Sequence, residues 1–165
     1  MLKKFMTPLW RKISSYLEKR TRAELQLYSL GLMHARNTRA RERIADLSEV
    51  EWQAFSQWGE DGILDWLVHH LPGIPETFVE FGVENYRESN TRWLLRARNW
   101  KGLVMDGSQD HMRDLRSQDI CWKHALTSVA AFIDAGNINR LLSSHGFTGE
   151  IGLLSIDIDG NDYWV

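Results

Sequence analysis

The hydrophobic pattern of this chain has two regimes, a helical one first and an alternating one after it. Over residues 8–45 apolar positions recur at roughly helical spacing, Trp10, Ile13 and Leu17 and then Leu25, Tyr28 and Leu32, with Lys and Arg on the other faces. That pattern predicts a helical extension whose stripe docks on a neighbouring element or rests on a membrane surface. Ser48, followed three residues later by Glu51, has the form of a capping box and predicts a helix start. A further helix is predicted over residues 60–70, apolar on the side of Ile63, Leu64, Trp66 and Leu67 and ended by the turn sequence Leu71-Pro72-Gly73-Ile74-Pro75. His69 and His70 fall at its C-terminus, where imidazolium favours the helix dipole.

Beyond these helices, short apolar runs alternate with helical patterns. Strands are predicted over 77–81, 102–106 and 151–157, with a weaker one over 120–126, and helices over 89–98, 109–116 and 137–144. Runs that are apolar on both faces suit strands buried in a parallel sheet. Their alternation with helices predicts an α/β fold with right-handed crossovers. The chain thus divides into a basic helical extension, residues 1–47, and an α/β domain, residues 48–165. The sequence stops at Val165, a few residues past the last predicted strand. An open sheet ending there would expose an apolar edge, so a truncated chain is the expectation.

Three of the apolar runs end in an acid followed at once or soon by glycine: Phe78-Val79-Glu80-Phe81-Gly82, Leu103-Val104-Met105-Asp106-Gly107, and Leu154-Ser155-Ile156-Asp157-Ile158-Asp159-Gly160. Ligands of open α/β sheets bind beyond the carboxyl ends of the strands, so three acids are expected to converge on one cleft. At the first strand end, Gly82 permits close approach by a ligand and Ser89-Asn90-Thr91 leads into a helix. Glu84 and Arg87 stand where a G-x-G-x-x-G motif would have its other glycines, which disfavours a pyrophosphate cradle. Glu84 and Glu88 repel phosphate and attract an amino group. Asp106, 24 residues past Gly82, suits hydrogen bonding to the two hydroxyls of a ribose. It suits equally a cap on the next helix through Ser108 or Gln109. Asp157, Asp159 and Asp162 fit a divalent cation, a base set against a hydroxyl, or an Asx turn into a following helix. His111, His124 and His145 show no metal-ligand spacing and read as surface or structural residues, His124 also as a candidate base near the end of the third strand.

Composition narrows the partners. A chain of 165 residues, 43% apolar, is about one domain long. A net charge of −2 conceals eleven basic against three acidic residues in 1–43, and nine against nineteen in 44–165. The acidic body argues against nucleic acid, whereas the basic front suits an anionic surface. The lone Cys121, the absence of a roughly 18-residue apolar run and the charges at Arg11, Lys12 and Glu18 predict a cytoplasmic, reducing location without a signal peptide.

With these residues in place, the chain resembles the FkbM-like group of class I S-adenosylmethionine-dependent methyltransferases. The matching segments are Ser56-Gln57-Trp58-Gly59-Glu60-Asp61-Gly62-Ile63-Leu64, the Glu80 run with Ser89-Asn90-Thr91, Trp100-Lys101-Gly102-Leu103-Val104-Met105-Asp106, and the Asp157 run, covering about residues 56–165. The resemblance implies a Rossmann-like, doubly wound, mostly parallel sheet with an incomplete C-terminal half. It also implies S-adenosylmethionine as cofactor and a hydroxyl of a sugar or other small metabolite as methyl acceptor, with a divalent metal allowed by the acids but not expected. By the same resemblance Glu80 and Gly82 border the methionine part, Asn90 and Thr91 shape the loop, Asp106 holds the ribose, and Asp157 and Asp159 face methyl transfer. Two other readings stay open: a metal-dependent glycosyltransferase using Asp157-Ile158-Asp159 as a D-x-D motif, and a non-catalytic binding or scaffold module on a truncated methyltransferase fold.

Overall fold

The computed structural model of the protein describes residues 6–158, 160 and 162–165. In chain order its elements are helix α1 (Met6–Arg39), a 3₁₀ turn (Leu47–Glu49), α2 (Glu60–His70), strand β1 (Thr77–Phe81), α3 (Arg92–Arg98), β2 (Lys101–Asp106), α4 (Gln109–Ser117), α5 (Ile120–Lys123), β3 (Leu126–Ala130), α6 (Ile138–Ser144), β4 (Leu153–Ile156) and a closing 3₁₀ turn (Asp162–Trp164).

The four strands form one sheet in the order β3-β2-β1-β4, and every pairing is parallel. The two central strands are buried on both faces, which is why their sequences read as unbroken apolar runs. Successive side chains alternate between faces. Phe78 and Val104 therefore pack with Trp93, Leu94, Met112 and Leu115 on one side. Val79, Phe81, Leu103 and Met105 meet Phe147 and the α6 residues Leu141 and Leu142 on the other. The result is an α/β fold with helices on both faces of a parallel sheet, compatible with a Rossmann-like arrangement. Among the described residues, no helix is long and apolar enough to cross a membrane.

Several expectations need correction. The capping box forms two residues earlier than Ser48 and Glu51 would place it. Asp46 accepts from Ser48 N at 2.8 Å, Glu49 accepts from Asp46 N at 3.2 Å, and the pair heads only a 3₁₀ turn. Residues 50–59 are instead ordered by the buried Asp61, whose Oδ2 accepts from the backbone N–H groups of Ala54, Phe55 and Ser56 at 2.6–2.8 Å. The weak strand over 120–126 is a short helix, α5, with an Asp119–Lys123 ion pair one turn apart at 2.5 Å. The third strand lies after it and pairs Leu126 to Ala130 with Gly102 to Asp106.

Helix α1 also docks by a face that hydrophobicity alone does not pick out. Leu25 and Leu32 are exposed, and the side chains of Trp10 and Leu17 lie outside the described residues. The stripe that meets the body is Glu24, Tyr28, Gly31, Ala35 and Thr38. Small residues are needed there because a Cβ on Gly31 would lie 2.6 Å from the ring of Trp93. Helix α2 likewise buries Asp61, Gly62 and Asp65 most deeply, with Ile63, Leu64, Trp66 and Leu67 half-buried. At its end, desolvation and the nearby Arg98 lower the pKa of His69, opposing the preference of the helix dipole for imidazolium.

Asp65 is the reason these three helices pack together. Its carboxylate accepts from Arg39 at 2.7 and 2.8 Å, from Arg98 Nε at 2.8 Å and from Trp93 Nε1 at 2.9 Å, joining α1, α2 and α3. Burial opposes its charge, yet the hydrogen bonds from Arg39, Arg98 and Trp93 prevail and hold its pKa below the ordinary value. Asp65→Ala leaves two guanidinium groups and an indole N–H without their partner, and is expected to cost about 3–5 kcal/mol in urea denaturation. A loss below about 1 kcal/mol would mean that surface ion pairs of ordinary strength suffice to hold α1 in place.

Candidate functional site

All four strands point their carboxyl ends into one cavity of about 720 Å³. Its walls are the β1–α3 loop (residues 82–90), Asp106-Gly107 after β2, Ala131-Phe132-Ile133 after β3 and Asp157-Ile158 after β4, with Gln57 at the rim. The volume lies in the ~300–1,000 Å³ range of small-molecule sites. The topology thus brings Glu80, Gly82, Asn90, Asp106 and Asp157 together. Thr91 is fully buried behind the wall, and Asp159 lies outside the described residues.

Glu80 is the structural centre of the wall. It is 3% exposed, and its carboxylate accepts four hydrogen bonds. Asn90 N and Ser155 Oγ donate to Oε1 at 3.0 and 3.3 Å, and Thr91 N and Thr91 Oγ1 donate to Oε2 at 3.2 and 2.5 Å. Asn90 Nδ2 in turn donates to Ser155 Oγ at 3.3 Å. Burial pushes the Glu80 pKa up to about 7, against the lowering effect of these donors. One carboxylate therefore ties β1, the loop and β4 into a single unit.

The loop it anchors is strained. Glu84 and Tyr86 adopt positive φ, 46° and 64°, a region that costs side chains other than glycine about 1–3 kcal/mol. Burial of the Tyr86 ring offsets this, with its hydroxyl 3.0 Å from Thr91 Oγ1 and its carbonyl accepting from Arg92 Nη1 at 2.7 Å. Burial also drives the Tyr86 phenol well above its usual range.

Gly82 is required for a different reason from the one its sequence context gives. Its φ is +73°, and a Cβ there would lie 1.5 Å from the backbone oxygen of Asp157. The close approach is by this chain's own β4 segment and not by a ligand. Gly82 N donates to Met105 O at 3.0 Å and Asp157 N to Phe81 O at 3.2 Å, which locks the three strand ends together.

Asp106 takes the capping part foreseen for it. Ser108 N donates to Oδ1 at 2.7 Å, a capping contact, while Glu84 N donates to Oδ2 at 2.8 Å from across the cavity mouth. A carboxylate oxygen accepts more than one hydrogen bond, so both oxygens keep capacity for hydroxyls of a ligand. Helix α4 is capped by Ser108 itself, whose Oγ accepts from His111 N at 3.2 Å.

Asp157 is exposed on the cavity wall. Asp162 instead closes a turn backwards, accepting from Ile158 N at 2.7 Å and Gly160 N at 3.1 Å, donors that precede it rather than the following ones an Asx turn would use. His124 precedes β3, at the amino ends of the strands and away from the cavity, which removes it as the candidate base. Burial raises the Cys121 thiol and places its Sγ 3.3 Å from Leu115 O, an inert setting. Among the described residues no group of three His, Cys, Asp or Glu side chains is placed to hold a metal ion.

Two wall residues were not assigned to the site from the sequence: His111, read there as surface or structural, and Phe132, not singled out at all. His111 lines the cavity with Nδ1 3.4 Å from Asp106 Oδ1. Phe132 is 86% exposed beside the cavity, and its ring passes so near Gly107 that a Cβ there would sit 3.1 Å away. A bulky aromatic just after a strand, in a loop at the ligand end, was the available signal.

Compared with protein-family models, curated proteins and solved structures, the chain matches none.

The raised pKa of Glu80 fixes a pH dependence. The folded state holds this proton up to about pH 7, whereas the unfolded chain releases it near the ordinary carboxyl value of 4.5. Stability from this group is full below pH 4.5 and is lost as pH rises to about 7, by an amount on the order of 3 kcal/mol. Urea denaturation of wild type and Glu80→Gln between these limits should show stabilities whose difference changes with pH in that direction. Two parallel pH profiles would contradict it.

Proposed function

We propose that this protein is an S-adenosylmethionine-dependent methyltransferase of the FkbM-like kind, acting on a hydroxyl of a sugar or other small metabolite. The observation that carries this reading is the setting of Asp106. It stands at the end of β2, one strand over from Gly82, both oxygens are oriented by backbone N–H groups, and it borders the cavity. A carboxylate so fixed is suited to accept from two vicinal hydroxyls at once.

The charge of the wall supports the same ligand. Glu84, Glu88, Asp106 and Asp157 line the cavity with a single arginine, Arg87, whose guanidinium also pairs with Asp114 at 3.4 Å, so the wall is net acidic. Such a wall suits a sulfonium and an ammonium group, and it opposes the diphosphate that the glycosyltransferase reading would need. Phe132 offers a flat apolar surface against which a nucleobase can stack.

When bound, the cofactor supplies a methyl group on positively charged sulfur. The chain's own contribution is positioning. Asp106 holds the sugar end, Glu80 keeps the β1–α3 loop in its strained path, and the neighbouring carboxylates favour the positive charge before transfer. Asp157, exposed on the opposite side of Gly82, is placed to accept the proton that an acceptor hydroxyl gives up.

Calorimetry with S-adenosylhomocysteine tests the reading. Wild type should bind, and Asp106→Ala should weaken binding by about 100-fold or more, the cost of two hydrogen bonds to a charged acceptor at about 1.5–3 kcal/mol each. Phe132→Ala should weaken it by a smaller factor with the fold intact by circular dichroism. A well-folded wild type that takes up no ligand would sink the proposal and leave the non-catalytic module as the better description.

A further inference from the structure

Residues 53–59, just before α2, follow a backbone path fixed at nearly every step. Gln53 Nε2 donates to the carbonyl oxygens of Ser56 and Gln57 at 2.7 and 3.0 Å, and Asp61 N donates to Ser56 Oγ at 3.1 Å. The N–H groups of Ala54, Phe55 and Ser56 converge on Asp61 Oδ2. Trp58 N donates to Glu60 Oε2 at 3.0 Å, and Gly59 then turns the chain at a φ of +124°, where a Cβ would lie 2.6 Å from the side chain of Glu51. This frame holds out two exposed residues, Gln57 and Trp58.

Gln57 reaches the cavity from an unusual direction. Every other stretch of the wall lies on or follows a strand, whereas Gln57 precedes β1 in the chain. Asn90, another wall amide, donates its Nδ2 to Ser155 Oγ at 3.3 Å. The side-chain amide of Gln57 makes no hydrogen bond among the described residues. Trp58, the next residue, is 75% exposed.

A carboxamide offers two donors and an acceptor in one plane. An ammonium or sulfonium group calls only for acceptors, which Glu84, Glu88 and Asp157 already supply, and a carboxylate calls only for donors. Two neighbouring hydroxyls call for both. An exposed indole adds a flat apolar face for the C–H side of a sugar ring, while the ring's hydroxyls stay free to bond elsewhere. A few polar groups fixed in place are what orient a small molecule in its site.

We propose that Gln57 is the specificity-determining residue through which the cavity reads a neutral sugar, its amide bonding two neighbouring hydroxyls of a ring that leans against Trp58. Under the methyl transfer proposed above, that sugar is the acceptor. Sugar binding at Gln57 does not itself require methyl transfer, since Gln57 and Asp106 come from separate segments and no described bond joins them.

Saturation-transfer NMR is the test, with methyl α-D-glucopyranoside, methyl α-D-mannopyranoside and methyl β-D-galactopyranoside, each with and without S-adenosylhomocysteine. At least one sugar should receive saturation on its ring C–H protons from the wild-type chain. Q57A, W58A and Q57E should each weaken its binding by about fivefold or more, Q57E because it keeps the shape of the side chain and loses both N–H donors. All three variants should keep the wild-type urea midpoint, the positions being exposed. Q57A should keep any S-adenosylhomocysteine affinity of the wild type within about twofold. Transfer to none of the three sugars overturns the proposal, and so does unchanged sugar binding in Q57A or W58A. A loss of S-adenosylhomocysteine affinity in Q57A as large as its loss of sugar also overturns it, because Gln57 would then serve the cofactor. Sugar binding that falls in Q57A, in a chain that takes up no S-adenosylhomocysteine, supports the sugar site and sinks the methyltransferase reading alone.

Discussion

A carboxylate taken out of water must gather donors, and Glu80 shows how far that requirement can organise a fold. Its four partners come from two places distant in sequence, the turn before α3 and the middle of β4. To deliver the N–H groups of Asn90 and Thr91, the chain must leave β1 at Gly82, pass through left-handed backbone at Glu84 and Tyr86, and begin α3 only at Arg92. The same path carries Glu84 N to Asp106 and so fixes the second acid of the site. The cavity follows from the bonding of one buried group.

The opposite end of the structure uses the same chemistry for a different purpose. Asp61 and Asp65, on successive turns of α2, face inward where an apolar residue would be the usual choice. Asp61 folds the irregular stretch 54–56 around itself, and Asp65 collects α1 and α3 through two arginines. Around them the rings of Trp52 and Trp93 meet edge to face at 4.7 Å, filling space the carboxylates cannot. Burying ion pairs of this type adds little net stability, but each partner has only one place to be. The docking angle of α1 is thus set by directional bonds, with close contact at Gly31 and Ala35 permitting it.

These polar anchors explain what could and could not be read in the sequence. The two central strands were legible because burial on both faces leaves a run without polar interruption, and Glu80 and Asp106 were found where those runs end. The β3 region was misread because Ile120 and Cys121 look as strand-like as Leu126 and Val129, and only pairing with β2 distinguishes them. The α1 face was misread because glycine, alanine and threonine carry no hydrophobic signal, although they decide how near two helices can come. Gly82 was singled out for close approach by a ligand, yet its neighbour is Asp157 of the same chain, a contact between strands far apart in sequence. Phe132 and His111 reach the cavity through loop and helix-start geometry, which residue spacing does not encode.

The bond from Ser155 to Glu80 joins residues 75 positions apart. During synthesis, β1, β2 and the helices between them leave the ribosome well before β4, and for that interval Glu80 lacks one of its donors and β1 has an open edge. The cavity wall closes only when the last strand arrives. Closing so long a loop is slow compared with forming the local helices. The site is therefore assembled only after β4 has paired, and the nascent chain must cross a period in which a central strand of the sheet is unpaired on one side.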